Sequence, residues 1–163
     1  MPGVSIRPAA PGDVATIHGL IRELAGFERL THLCTGSAPE LADALFGAHP
    51  AAEVLLAEVD GAVAGFALYF HNFSTFLARR GLWLEDLYVR PAFRSRGVGT
   101  RLLRSVAAIA VERRCGRFEW SVLDWNTPAI GFYERMGATV MPDWRIARVT
   151  GDSLARLGLP TAD

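Results

Sequence analysis

The chain is 163 residues long, half of it hydrophobic and 21% charged, and its 17 basic side chains are all arginine. That length suits a single domain over residues 1–163, with apolar material enough for one core, which excludes disorder for the bulk of the chain. The lack of lysine excludes Schiff-base chemistry and a lysine-bearing phosphate loop.

The formal net charge of zero conceals a division: residues 1–60 hold three arginines against eight acids, a net of −5, and residues 79–117 hold ten arginines against three acids, a net of +7. Such asymmetry within one domain points to a site handling two ligands of opposite sign. The basic stretch lacks an aromatic-interleaved face, which argues against nucleic acid. Cys34 and Cys115 form no metal spacing and His18, His32, His49 and His71 no H-x-x-x-H pair, so no metal is expected. This cysteine usage suits a reduced, cytoplasmic protein. The longest apolar run, Ala62 to Phe70, is far short of the ~20 residues that span a bilayer, and the start, MPGVSIRP, has no apolar signal core, so no membrane partner is expected.

In chain order, Val4 to Arg7 reads as a strand ending at Pro8. Asp13 suits the N-cap of a helix to about Phe27, with Ile17, Ile21 and Leu24 on one face. Ser37-Ala38-Pro39-Glu40 is a capping box opening a short helix that Gly47 stops. Glu53 to Val59 and Val63 to Phe70 are β-rich runs joined by Asp60-Gly61, a hairpin turn pair. A polar loop from His71 to Gly81 precedes a central strand, Leu82 to Val89. Thr100 to Arg114 is the strongest helix, with Leu102, Leu103, Val106, Ile109 and Ala110 on one face and Gly116 beyond its end. Arg117 to Leu123 reads as a strand, a helix capped by Asn126 or Thr127 follows to Met136, and Trp144 to Val149 is a last strand before a short helix or tail from Asp152. The order is mixed α/β with one clear β-α-β unit.

Between the central strand and the strongest helix lies Arg94-Ser95-Arg96-Gly97-Val98-Gly99-Thr100. Glycines there let backbone N–H groups approach a ligand, and the helix start adds about half a positive charge, so the turn suits an anion such as a pyrophosphate. A dinucleotide fingerprint is a poor fit because Leu102 occupies the third small position, and a turn with glycines for tight folding alone is the plain alternative.

The pattern R-x-x-G-x-G at Arg94, Gly97 and Gly99 resembles the acyl-CoA pyrophosphate loop of the GNAT N-acetyltransferases. The strings Leu84-Glu85-Asp86-Leu87-Tyr88-Val89, Leu123-Asp124-Trp125-Asn126 and Phe132 to Ala138 resemble that family too. The opening Ile6 to Ala9 and the run Glu23 to Glu28 resemble its spermidine/spermine (diamine) branch. The resemblance implies a GNAT fold: a mixed, mostly antiparallel sheet flanked by helices, with a β-α-β core that binds acetyl-CoA. It also implies a homodimer with Trp144 to Val149 as a candidate interface, and acetyl transfer to a small-molecule amine by direct attack.

Carried over residue by residue, the resemblance implies that Glu85 is a general base acting through water, for an amine with a pKa near 10.4 must lose a proton before attack. An ion pair with Arg79 or Arg90 is the structural alternative for this acid. Asp86 would face the other way in a regular strand. Tyr133 takes the general-acid position, with a packed core tyrosine as the alternative. The amides of Leu87 and Val89 would hold the acetyl oxygen, and the pantetheine arm would pair along Leu87, Tyr88 and Val89. Residues 94–100 with Arg101 would hold the CoA phosphates, although Arg101 and Arg104 equally suit a solvated helix face. Asn126 is either a cofactor-side amide or simply a cap. Phe27, Glu28, Glu85 and Asp86 would meet the cationic amine. Ser74 stands where the animal polyamine enzymes carry an acid, which together with the VLDWN string leans toward thialysine-type enzymes and lysine-like amines. A non-catalytic acyl-CoA sensor and an acetyltransferase of protein amines are the competing functions.

Overall fold

The computed structural model describes residues 3–160, which fall into two compact units, one up to Ser121 and one from Val122. The first contains β1 (Val4–Pro8), α1 (Val14–Phe27), α2 (Ala38–Phe46), β2 (Glu53–Val59), β3 (Ala62–Ser74), β4 (Arg79–Val89), α3 (Val98–Glu112) and β5 (Phe118–Trp120). Its strands lie side by side in chain order, antiparallel from β1 to β4, with β5 parallel to β4. A parallel neighbour needs a crossover, and α3 supplies it. This is the mixed, mostly antiparallel sheet that the family resemblance implies.

Helices cover both faces. Leu56, Phe66, Leu68 and Tyr88 pack on one side with Ile17 and Leu20 of α1 and Leu45 of α2. On the other, α3 buries Val98, Leu102, Leu103, Val106 and Ala110, a stripe at helical spacing. Each fully buried aliphatic side chain contributes about 1.5–3 kcal/mol, so these two layers anchor the sheet that carries the site.

Local chemistry explains most boundaries. Ser37 and Glu40 form the expected capping box, Glu40 accepting from the Ser37 N–H at 2.8 Å and Ser37 Oγ from the Glu40 N–H at 3.3 Å. Asp13 precedes α1 but its side chain does not cap it. The carboxylate accepts two bonds from the Arg7 guanidinium, 2.8 and 3.0 Å, and one from the Ala10 N–H at 2.7 Å, a charge-assisted set that outcompetes a helix amide. These donors hold Asp13 down to a pKa of about 2. Asp60 and Gly61 both take positive φ, 51° and 80°, as the hairpin turn requires.

The anticipated polar loop from His71 to Gly81 is not a loop. β3 and β4 continue pairing through it as far as Ser74 opposite Arg79, because ladder bonds are made by backbone and need no apolar side chain. β5 is also shorter than Arg117 to Leu123.

The second unit holds α4 (Thr127–Arg135) and α5 (Gly151–Leu157). The anticipated strand at Trp144 to Val149 is absent: these residues are irregular, with Trp144 77% and Ile146 67% exposed. The described residues of this unit form helices alone, so a strand there has no ladder partner within the unit.

Candidate active site

The ladder between β3 and β4 changes register in the middle. Leu68 pairs with Asp86 and Tyr69 with Leu84, leaving Glu85 as the extra residue of a β-bulge. Residues directly opposite in a ladder share a face, so Asp86, opposite Leu68, looks toward α1, as does Trp83, opposite Phe70. The Trp83 indole N–H donates to Glu85 Oε2 at 2.9 Å, which places Glu85 on that face as well. The expectation that Glu85 and Asp86 diverge is therefore overturned, since alternation fails at a bulge. Trp83 was not singled out from the sequence. Its signal is a spacing of two from an acid in a strand.

Glu28 follows α1 and completes the set. Burial raises its pKa, and the Glu85 charge raises it further. Asp86 is half-buried and its pKa is pushed up to about 7, by burial first and then by the charges of Glu85 and Glu28. The three carboxylates thus feel one another across the end of α1 and the bulge. Neither Arg79 nor Arg90 pairs with Glu85: Arg90 instead pairs with Glu23 of α1 at 3.0 Å and donates to the Val63 carbonyl. Ser74 stays outside this cluster. It lies six residues along β3 from Leu68, roughly 20 Å at strand rise, and its Oγ accepts from the Leu77 N–H.

Past the bulge, one edge of β4 opens. β5 pairs with β4 at Leu82, Trp83 and Leu84 and no further. The Arg90 N–H bonds to the Ala64 carbonyl on β3, so by antiparallel alternation the N–H groups of Leu87 and Val89 point the other way, toward the edge β5 leaves uncovered. Gly65 sits opposite Val89, where an added Cβ would come within 2.3 Å of the Tyr88 carbonyl, so only glycine lets the strands approach there. Tyr88 itself is buried in the α1-side core and, by the same alternation, its backbone N–H and C=O face β3 opposite Phe66, so Leu87 and Val89 supply the edge and Tyr88 does not.

β4 then leads into the glycine turn. Ser95 and Gly97 take left-handed φ of 60° and 76°, curling residues 94–97 into α3. The first helical bond is from the Arg101 N–H to the Gly97 carbonyl, so the N–H groups of Val98, Gly99 and Thr100 have no helical acceptor and aim at whatever sits before the helix. Arg94 Nε donates to the Val89 carbonyl at 2.9 Å and its guanidinium lies 4.9 Å from the Phe27 ring centroid. The Arg96 guanidinium lies 6.0 Å from the Phe93 ring centroid. Arg101 reaches away from the loop to the Val4 carbonyl, and Val98 is buried, contributing an amide alone.

In the second unit, Asn126 caps α4, its Oδ1 accepting from the Ala129 N–H at 3.4 Å. Tyr133 is half-buried on that helix, its ring 5.4 Å from that of Phe132.

A turn of amides without helical acceptors, a strand edge that β5 leaves unpaired and a bulge of acids suit an acyl-CoA enzyme for amines, and comparison with known proteins agrees on the family. The family model described as acetyltransferase (GNAT) matches residues 21–138. An L-ornithine N5-acetyltransferase of Arabidopsis thaliana is 39% identical, over 91% of this chain and 85% of its own. A thialysine N-epsilon-acetyltransferase of Mus musculus is 36% identical, over 96% and 98%. Among solved structures, an integron cassette protein from the mobile metagenome of V. cholerae superposes with a TM-score of 0.79 at 26% identity, over 94% of this chain and 96% of that one. The chain belongs to the acetyltransferase (GNAT) family and is an acetyl-CoA-dependent N-acetyltransferase.

Proposed function

We propose that the chain, working as one catalytic domain, transfers acetyl from acetyl-CoA to a primary amine of a small cationic molecule: a diamine, a polyamine or a lysine-like amino acid of the ornithine and thialysine kind. The observation that carries this reading is the bulge in β4, which turns Glu85 and Asp86 to the face where Glu28 follows α1. Three acids in mutual electrostatic range favour a cationic ligand, and the activities named for the ornithine and thialysine relatives support a short chain with a terminal amine.

In this reading the amides of residues 98–100 and the arginines Arg94 and Arg96 hold the CoA phosphates. The pantetheine arm lies along the edge of β4, and the Leu87 and Val89 N–H groups take the acetyl oxygen as charge develops on it. Glu85 orients a water that removes the ammonium proton. The free amine attacks, the C–N bond forms, and collapse of the intermediate breaks the C–S bond, with Tyr133 protonating the departing thiolate and recovering a proton from the new amide nitrogen. Asn126 lines the cofactor side with its amide.

The test is a panel of diamines, polyamines and amino-acid amines assayed for CoA release. Ornithine- and thialysine-like amines should give the highest kcat/KM, and no turnover with any amine refutes the reading. We also propose a homodimer. The exposed Trp144 and Ile146, two residues apart as in a strand, support pairing with a second copy. Light scattering at micromolar concentration should return twice the chain mass, and a monomer refutes the dimer.

A further inference from the structure

We propose that Asp86 is where the ammonium proton comes to rest, handed over by the water that Glu85 orients, while Glu28 holds the cation beside the pair. The inference rests on the amine-acetylating reading above and adds a proton-holding residue to it.

The geometry divides the two bulge acids. Glu85 is exposed and already accepts a hydrogen bond from the Trp83 indole, so one of its oxygens is fixed in direction, as suits a residue that positions a water. Asp86 is half-buried, faces α1 beside Leu68 and Tyr88, and no hydrogen bond or ion pair to its carboxylate is found among the described residues. Yet no buried side-chain oxygen lacks a partner there, so the Asp86 oxygens remain reachable rather than sealed. The charged groups that act on it are Glu85 on its own strand and Glu28 from the end of α1, both acids, and across the ladder stands apolar Leu68. A carboxylate with no donor and two acidic neighbours binds a proton more tightly than either an exposed or an arginine-paired one. With its pKa pushed up to about 7, Asp86 closes the gap to an ammonium near 10.4 by about three powers of ten compared with an ordinary aspartate, as a base for work at neutral pH requires.

The bookkeeping of protons is complete. The ammonium gives one proton through the water to the Asp86 carboxylate and becomes the nucleophile. The second proton leaves the nitrogen as the amide forms and replaces the one Tyr133 gives to the thiolate. Asp86 returns its proton to solvent once the products have left.

Two readouts on the full-length chain test this. Carbon-13 NMR of labelled aspartate carboxyls, assigned with Asp86→Asn, should show Asp86 titrating near 7, and lower in Glu28→Gln. The kcat of the wild type with its best amine should drop below about pH 7; Asp86→Asn should cut kcat at least tenfold and shift that limb to lower pH, with KM for acetyl-CoA within twofold. Glu85→Gln should lower kcat while keeping an acid limb set by Asp86. Turnover together with an Asp86 carboxyl titrating near 4, or an unmoved limb in Asp86→Asn, overturns the relay alone. No turnover with any amine overturns the underlying reading and the relay with it.

Discussion

The Arg94 guanidinium lies over the ring of Phe27, 4.9 Å from its centroid, and 5.7 Å from that of Tyr88. Arg94 belongs to the glycine turn and Phe27 ends the helix that leads to Glu28, so this cation–π contact joins the part proposed to meet CoA to the part proposed to meet the amine. It also pre-orients Arg94, whose Nε is held by the Val89 carbonyl.

Phe27→Leu keeps the bulk and removes the ring face. An exposed cation–π contact contributes about 0.5–1 kcal/mol, which corresponds to roughly a two- to fivefold loss of acetyl-CoA affinity. Calorimetric titration of acetyl-CoA should show that loss, with a rise in KM for the amine as well. A change confined to the amine would sever the proposed link.

Gly97→Ala addresses the loop itself. At φ 76° a Cβ costs about 1 kcal/mol, and the added methyl meets open space, so the penalty is conformational rather than steric. Acetyl-CoA affinity should fall about fivefold as the loop relaxes, with the far-ultraviolet spectrum preserved. Unchanged affinity would mean that the left-handed turn is not needed for the anion.

Tyr133→Phe removes one hydroxyl. If it protonates the thiolate, kcat should fall by roughly 100-fold, the scale of general-acid help, while acetyl-CoA affinity stays within twofold. Equal losses in both would assign the tyrosine to binding.

Stability offers an independent check on Asp86. Its folded pKa of about 7 lies above the usual aspartate value of 3.8, so the folded state binds more protons than the unfolded one between about pH 4 and 7. Stability from this group is therefore full below about pH 4 and is lost as pH rises through 7. Asp86→Asn, which cannot ionise, should raise the melting temperature at pH 8 and leave it nearly unchanged at pH 4, by an amount on the order of 1–3 kcal/mol at the higher pH. A destabilised variant at pH 8 would mean the carboxylate is well satisfied when charged.

Much of this was legible in the sequence, because the signals were local. The capping box at Ser37, the Asp60-Gly61 turn and the apolar stripe of α3 each follow from a few adjacent residues, and the structure shows all three. What escaped depends on partners outside the element being read. Asp13 looked like a cap because its competitor, the Arg7 fork, acts across a turn. The extension of β3 and β4 past Phe70 is a property of two backbones pairing, and side chains such as His71, Asn72 and Arg80 carry no sign of it. The shared face of Glu85 and Asp86 is invisible in a string of letters, since a bulge exists only relative to the partner strand.

That bulge is also a change of phase. Before Glu85 the odd-numbered residues of β4 look toward α1 and the even ones toward α3; after it the parity is exchanged, with Asp86 and Tyr88 on the α1 side. Removing residue 85 outright would restore an unbroken ladder, with Leu84 still opposite Tyr69 and Asp86 still opposite Leu68. Both hydrophobic layers would keep their occupants. Glu85 is thus a residue the sheet has no architectural use for, and a chain one residue shorter should fold at least as readily while losing the acid proposed to position the water.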